Sequence, residues 1–138
     1  MRGAPTLIVT RPQPQADDWV TRLRHAGFDA APLPLLAIEP VANPDAVSAA
    51  RQRLPQYALA MFVSPAAVEH FMRRAPGVPE WPATTLAAAP GPGTAHALRA
   101  AGVPAAQVIE PAADAPQFDS EQLWRELAGR DWRGLRVL

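Results

Sequence analysis

Apolar residues follow two rhythms along this chain. Short unbroken runs such as Leu7-Ile8-Val9 alternate with stretches where apolar side chains recur every three or four positions. The first rhythm fits strands buried on both faces, and the second fits helices with one buried side. Residues 6–10 form the first run. Pro12 and Pro14 delay the helix that follows, whose stripe is Trp19, Val20, Leu23 and Ala26 and which Gly27 ends just past its last turn. Asp17 and Asp18 fall in its first turn and are read as charges favoured at a helix N-terminus rather than as catalytic acids.

Residues 29–42 are extended but carry Pro32, Pro34 and Pro40, which suits an edge strand or a crossover between two lobes better than a central strand. Asn43-Pro44 then reads as a cap followed by proline at the first helical position, with Val47, Ala50 and Leu54 facing inward. Tyr57 to Val63 is the second good strand. Ser64 caps the next helix, with Pro65 at its first position and Val68, Phe71 and Met72 buried. A proline-rich loop over 75–83 leads to a strand of small residues at 86–89, then to a helix after Thr94 that stops at Gly102. Val108 to Glu110 is a short strand. Asp119 opens a capping box with Gln122 at the third position, a staple between Phe118 and Leu123, and Leu123, Trp124 and Leu127 toward the core. The sequence stops inside a last apolar run, Leu135 to Leu138, with neither cap nor polar tail, as in a chain cut from a longer one.

Strands alternating with helices indicate an α/β protein with mainly parallel sheets and flanking helices. Three junctions then stand out: Val9-Thr10-Arg11-Pro12, Val63-Ser64-Pro65-Ala66-Ala67 and Pro90-Gly91-Pro92-Gly93-Thr94-Ala95. Each runs a strand into a helix start marked by a hydroxyl residue. If the strands are parallel, the junctions gather along one sheet edge, where free N–H groups and helix dipoles favour a ligand with several negative charges. Singly, Ser64 or Thr94 is an ordinary N-cap; three together suggest that a carboxylate shares the same donors.

Composition narrows the chemistry. Thirteen basic residues balance thirteen acidic ones, so no charge field gathers nucleic acid. Every basic residue is Arg, which excludes a lysine nucleophile, and the absence of Cys excludes disulfides and thiolate catalysis. No signal peptide or membrane span is apparent, so a cytoplasmic protein is expected. Gly91 and Gly93 do not make a dinucleotide fingerprint, because His96 stands where a third glycine or alanine is needed, and no P-loop occurs. His25, His70 and His96 lie on separate helices without metal-ligand spacing, so no metal is expected. Ser64 lacks the surroundings of a hydrolase nucleophile.

At these junctions the chain resembles the N-terminal half of the uroporphyrinogen-III synthase family. Val9-Thr10-Arg11-Pro12 matches the family's opening strand end, and Pro32-Leu33 or Pro34-Leu35 matches a later Pro-Leu pair. Phe62 to Val68 matches Phe-Thr-Ser-Pro-Asn-Ala-Val, Pro90 to Ala95 matches Val-Gly-Pro-Gly-Thr-Ala, and Ser120-Glu121-Gln122-Leu123 matches a Ser-Glu-x-Leu helix start. No single motif is specific; five in order over nearly the whole chain are. Val63 replaces a Thr, Pro90 an apolar residue, and Ala66 the family's Asn, which removes a polar contact.

The resemblance implies two α/β domains joined by extended connectors, in a chain about twice this length. Residues 1–36 would begin domain one, and 37–138 would form most of domain two, ending in the first strand of a second repeat. It implies cyclisation of hydroxymethylbilane to uroporphyrinogen III, with inversion of the last pyrrole ring and loss of water, as a lyase of haem biosynthesis without cofactors. Hydroxymethylbilane synthase would be the upstream supplier. Substrate carboxylates would meet Thr10, Ser64, Pro65, Ala66, Ala67, Gly91, Gly93, Thr94 and Ala95. Arg11 either adds a charge-assisted bond or is simply an exposed arginine. The family's tyrosine acid lies in the second repeat, beyond Leu138, and Tyr57 does not match it. The 138 residues alone are therefore expected to be inactive or very weak. The alternative is a non-catalytic tetrapyrrole sensor or a flavodoxin-like interaction module.

Overall fold

A computed structural model describes residues 5–73 and 80–138. Residues 75–79 of the proline-rich loop lie outside the described residues. The chain divides into two compact units, one up to Val41 and one from Ala42 to Leu138.

In the first unit, β1 (Leu7–Val9) pairs in parallel with β2 (Ala30–Pro32). The helix between them, α1 (Gln15–His25), starts after the prolines and ends at Ala26. Gly27 follows at φ +88°, a conformation that side chains rarely adopt, as its predicted place after the helix requires. Ala16 and Val20 are buried on α1, whereas Trp19 is exposed, so the inward stripe is displaced from the expected one. Proline-bearing β2 is indeed an edge strand, and Leu33 N–H still reaches Val9 O at 2.8 Å.

The second unit holds a parallel sheet of β3 (Leu59–Met61), β4 (Leu86–Ala88) and β5 (Val108–Ile109), in that order. The last apolar run joins it beyond β3: Val137 bridges Leu59 in parallel, Leu138 N–H donates to Leu59 O, and Met61 N–H donates to Leu138 O. Each strand is shorter than the segment expected for it. Helix α2 (Asp45–Gln52) precedes β3, with Asn43 Oδ1 accepting from Asp45 N–H at 2.8 Å. It buries no residue fully, and Leu54 sits beyond it in a separate helical turn, Leu54–Gln56, where it is buried.

The alternation of side chains along the strands builds two cores. Ala60, Phe62, Ala87 and Ala89 meet Val68 of α3 (Pro65–Met72) and Ala95 and Leu98 of α4 (Pro92–Ala100). Leu59 and Ala88 belong to a second cluster with Leu123 and Leu127 of α5 (Ser120–Leu127). Helices therefore cover both faces of the sheet, with α3 and α4 on one and α5 on the other. Ala87 and Ala89 lie with Leu98 in the first cluster and Ala88 in the second, and all four are fully buried. Trp124 was expected inward but is 59% exposed, because Leu123 and Leu127, one turn apart, already fill that face.

Candidate functional site

Every helix that follows a strand of the second sheet starts at the same edge, where the parallel strands end. Their starts differ in how many backbone donors they leave unused. At α3, Ser64 is extended (φ −156°, ψ 155°), and its Oγ accepts from Ala67 N–H at 3.1 Å. Pro65 has no N–H to satisfy. Val68 N–H reaches Ser64 O, which leaves the N–H of Ala66 without an acceptor among the described residues.

The start of α4 corrects the sequence reading. Thr94 is not the cap: Gly91 is, at φ −162°, with Pro92 at the first helical position and no side-chain cap bond. Thr94 lies inside the first turn and is 5% exposed. A glycine cap has no oxygen to offer, so the N–H groups of Gly93 and Thr94 find no acceptor among the described residues, while Ala95 N–H returns to Gly91 O at 3.1 Å. A Cβ built on Gly93 would lie 4.0 Å from Pro65 Cγ, so the starts of α3 and α4 stand side by side. Three unused donors thus gather at two adjacent positive helix ends.

A third start joins them that the sequence reading had not placed in the site. A Cβ on Gly91 would touch Phe118 Cβ at 3.5 Å, which puts the approach to α5 against the α4 cap. Asp119 Oδ1 accepts from Gln122 N–H at 2.9 Å, the predicted cap. Its own carboxylate thus occupies that helix end, so α5 contributes an apolar wall through Phe118. Asp119 had been legible as a cap; its place in the site needs the sheet order.

The first junction does not share this sheet. β1 belongs to the other sheet, so the three predicted junctions do not line one edge. Thr10 is exposed and does not cap α1, whose N-cap is Pro14. Arg11 Nη1 donates to Gln15 Oε1 at 3.1 Å, and its guanidinium lies 5.9 Å from the Trp19 ring. Of the predicted residues, Ser64 to Ala67 and Gly91 to Ala95 come together, while Thr10 and Arg11 belong to the other unit.

A groove of about 360 Å³ adjoins the α3 start. Ala46, Val47 and Ala50 of α2 form one wall, Ala67 and Phe71 the other, over Phe62 and Leu138. The site thus offers hydrogen-bond donors beside apolar surface, the pairing a ring system with carboxylate arms requires.

The family model described as uroporphyrinogen-III synthase HemD matches residues 17–138. The chain belongs to the uroporphyrinogen-III synthase family. No curated protein matches it. Membership agrees with the observed α/β architecture and its parallel sheets, and the family acts on a tetrapyrrole in porphyrin biosynthesis. No helix among the described residues is long and apolar enough to cross a membrane.

Proposed function

We propose that this chain supplies the substrate-holding face of a uroporphyrinogen-III synthase, which closes hydroxymethylbilane to uroporphyrinogen III. The observation that carries the reading is the pair of adjacent helix starts whose Ala66, Gly93 and Thr94 N–H groups have no acceptor among the described residues. The substrate bears eight carboxylates, and such donors accept them without rearrangement.

The terminal hydroxyl leaves, and the substituted carbon of the last pyrrole ring bonds to the terminal methylene, giving a spiro intermediate. That carbon's older bond to the preceding methylene then breaks and re-forms at the ring's free carbon, which gives up its proton; with the hydroxyl, that proton makes the water lost. Unassisted closure uses the unsubstituted carbon instead, so catalysis depends on how the linear substrate is folded. Carboxylate arms fixed at α3 and α4, with pyrrole rings against Phe118 and the neighbouring apolar surface, would impose that fold. The Ser64 hydroxyl keeps its proton free to donate while its oxygen caps α3. Thr10 and Arg11 are assigned with residues 1–36 to domain one, and residues 37–138 to most of domain two. No cofactor takes part.

Binding tests this reading. Uroporphyrin, a stable octacarboxylate tetrapyrrole, should bind the chain saturably and quench its tryptophan fluorescence, whereas its octamethyl ester should not. Equal binding of the ester, or none of the acid, would overturn the proposal. The catalytic acid of the family resembles no residue present here, so the chain alone should add little III isomer when hydroxymethylbilane is generated in place. Efficient III formation, read by chromatography of the oxidised porphyrins, would contradict that division of labour.

A further inference from the structure

Helix α1 carries a stripe of side chains that the donor-rich edge does not use. Arg11 stands just before the helix, and Gln15, Trp19 and Arg22 follow on it at the three- and four-residue spacing that sets side chains on one face. The Arg22 guanidinium lies 5.7 Å from the centre of the Trp19 ring, and that of Arg11 lies 5.9 Å from it. Arg11 Nη1 also donates to Gln15 Oε1 at 3.1 Å. One indole thus holds two guanidinium groups.

Acids stand close by and take neither cation. Asp18 and Arg22 have the spacing at which helical ion pairs form. Arg22 nevertheless lies against the indole, and neither arginine makes an ion pair among the described residues. Asp17 Oδ1 accepts instead from Gln13 Nε2 at 3.0 Å. A guanidinium stacked on an aromatic ring is fixed in direction while its N–H edge stays open. Among the described residues, only Arg11 uses one of these donors on the protein, the bond to Gln15. The arrangement is local to residues 11–22, so the helix itself sets it. Two unpaired guanidinium groups also keep this face in water, because burying them is strongly unfavourable.

A ligand that engages both open edges needs two acceptor groups on separate arms. Carboxylates suit them best, since each can take two parallel hydrogen bonds from one guanidinium. We propose that Arg11, Trp19 and Arg22 form a binding stripe for the carboxylate arms of a tetrapyrrole, in which Trp19 orients the two arginines. The kind of ligand rests on the proposed function; the residues are separate from those that carry it.

Titration of the nitrogen-labelled chain with uroporphyrin tests the two readings apart. The Arg11 and Arg22 Nε–H and Trp19 indole signals report this stripe, whereas the Ala66, Gly93 and Thr94 amides report the edge of the second sheet. The stripe signals should shift saturably with uroporphyrin and stay still with its octamethyl ester. Arg22→Gln and Trp19→Leu should each lower the affinity read at Arg11 Nε–H by about threefold to tenfold, the second with no change of charge. Stripe signals that stay still while the three amides move would overturn this proposal alone. Equal shifts with the ester, or wild-type affinity in both variants, would also overturn it.

Discussion

At the residue scale, a few buried contacts decide whether the donor-rich edge exists at all. Leu98 is fully buried where α4 meets β3 and β4. Leu98→Ala should cost about 2–5 kcal/mol, the range for cavities left by core leucines; chemical denaturation would read it. Thr85 is also fully buried, and its hydroxyl is 2.9 Å from both Leu54 O and Tyr57 O, tying the segment before β3 to the start of β4. Thr85→Val removes the one hydroxyl proton these carbonyls share, although Leu54 O keeps the Tyr57 N–H, and should destabilise by about 1–3 kcal/mol. The same measurement on Ser64→Ala should show a loss of about 1 kcal/mol, from the cap bond to Ala67 N–H. Ser64 was legible because a hydroxyl followed directly by proline marks both cap and first position. Thr94 was misread although the same signal stood nearby: Gly91-Pro92 repeats the Ser64-Pro65 arrangement with a glycine as cap.

At the element scale, the unusual feature is that α4 begins without a side-chain cap. Gly91 is extended, and a Cβ there would meet Phe118 at an ordinary contact distance, so larger residues fit. Gly91→Asp should stabilise the chain by a few tenths of a kcal/mol, because its carboxylate would accept from Gly93 or Thr94 N–H. It should also weaken uroporphyrin binding at least tenfold, on the order of 1.4 kcal/mol or more, by taking those donors and adding a like charge. Denaturation and fluorescence titration of one variant would check both effects; unchanged binding would mean that these donors do not hold the ligand. The end of α1 and the caps of α3 and α5 followed from local chemistry, namely Gly27, Ser64 and Asp119. The buried faces were harder to read. Trp124 and Trp19 sit at helical spacing among apolar neighbours, but only the sheet's position decides which flank of a stripe is covered.

At the scale of the whole molecule, alternating strands and helices made the α/β class legible, and parallel pairing follows from the helical crossovers. No local signal showed how the strands divide between sheets; only the family resemblance set residues 1–36 apart. β1 is a short apolar run like β3, yet among the described residues it pairs with β2. That division takes Thr10 and Arg11 out of the sheet that carries Ser64 and Gly91. It leaves the second unit with the complete donor cluster and with Phe118 beside it. On the proposed function, one edge of this one sheet holds the carboxylates of a tetrapyrrole. In an amide chemical-shift titration of the nitrogen-labelled chain with uroporphyrin, the Ala66, Gly93 and Thr94 amides should then move first and furthest. Shifts that leave these three in place and gather elsewhere would contradict it.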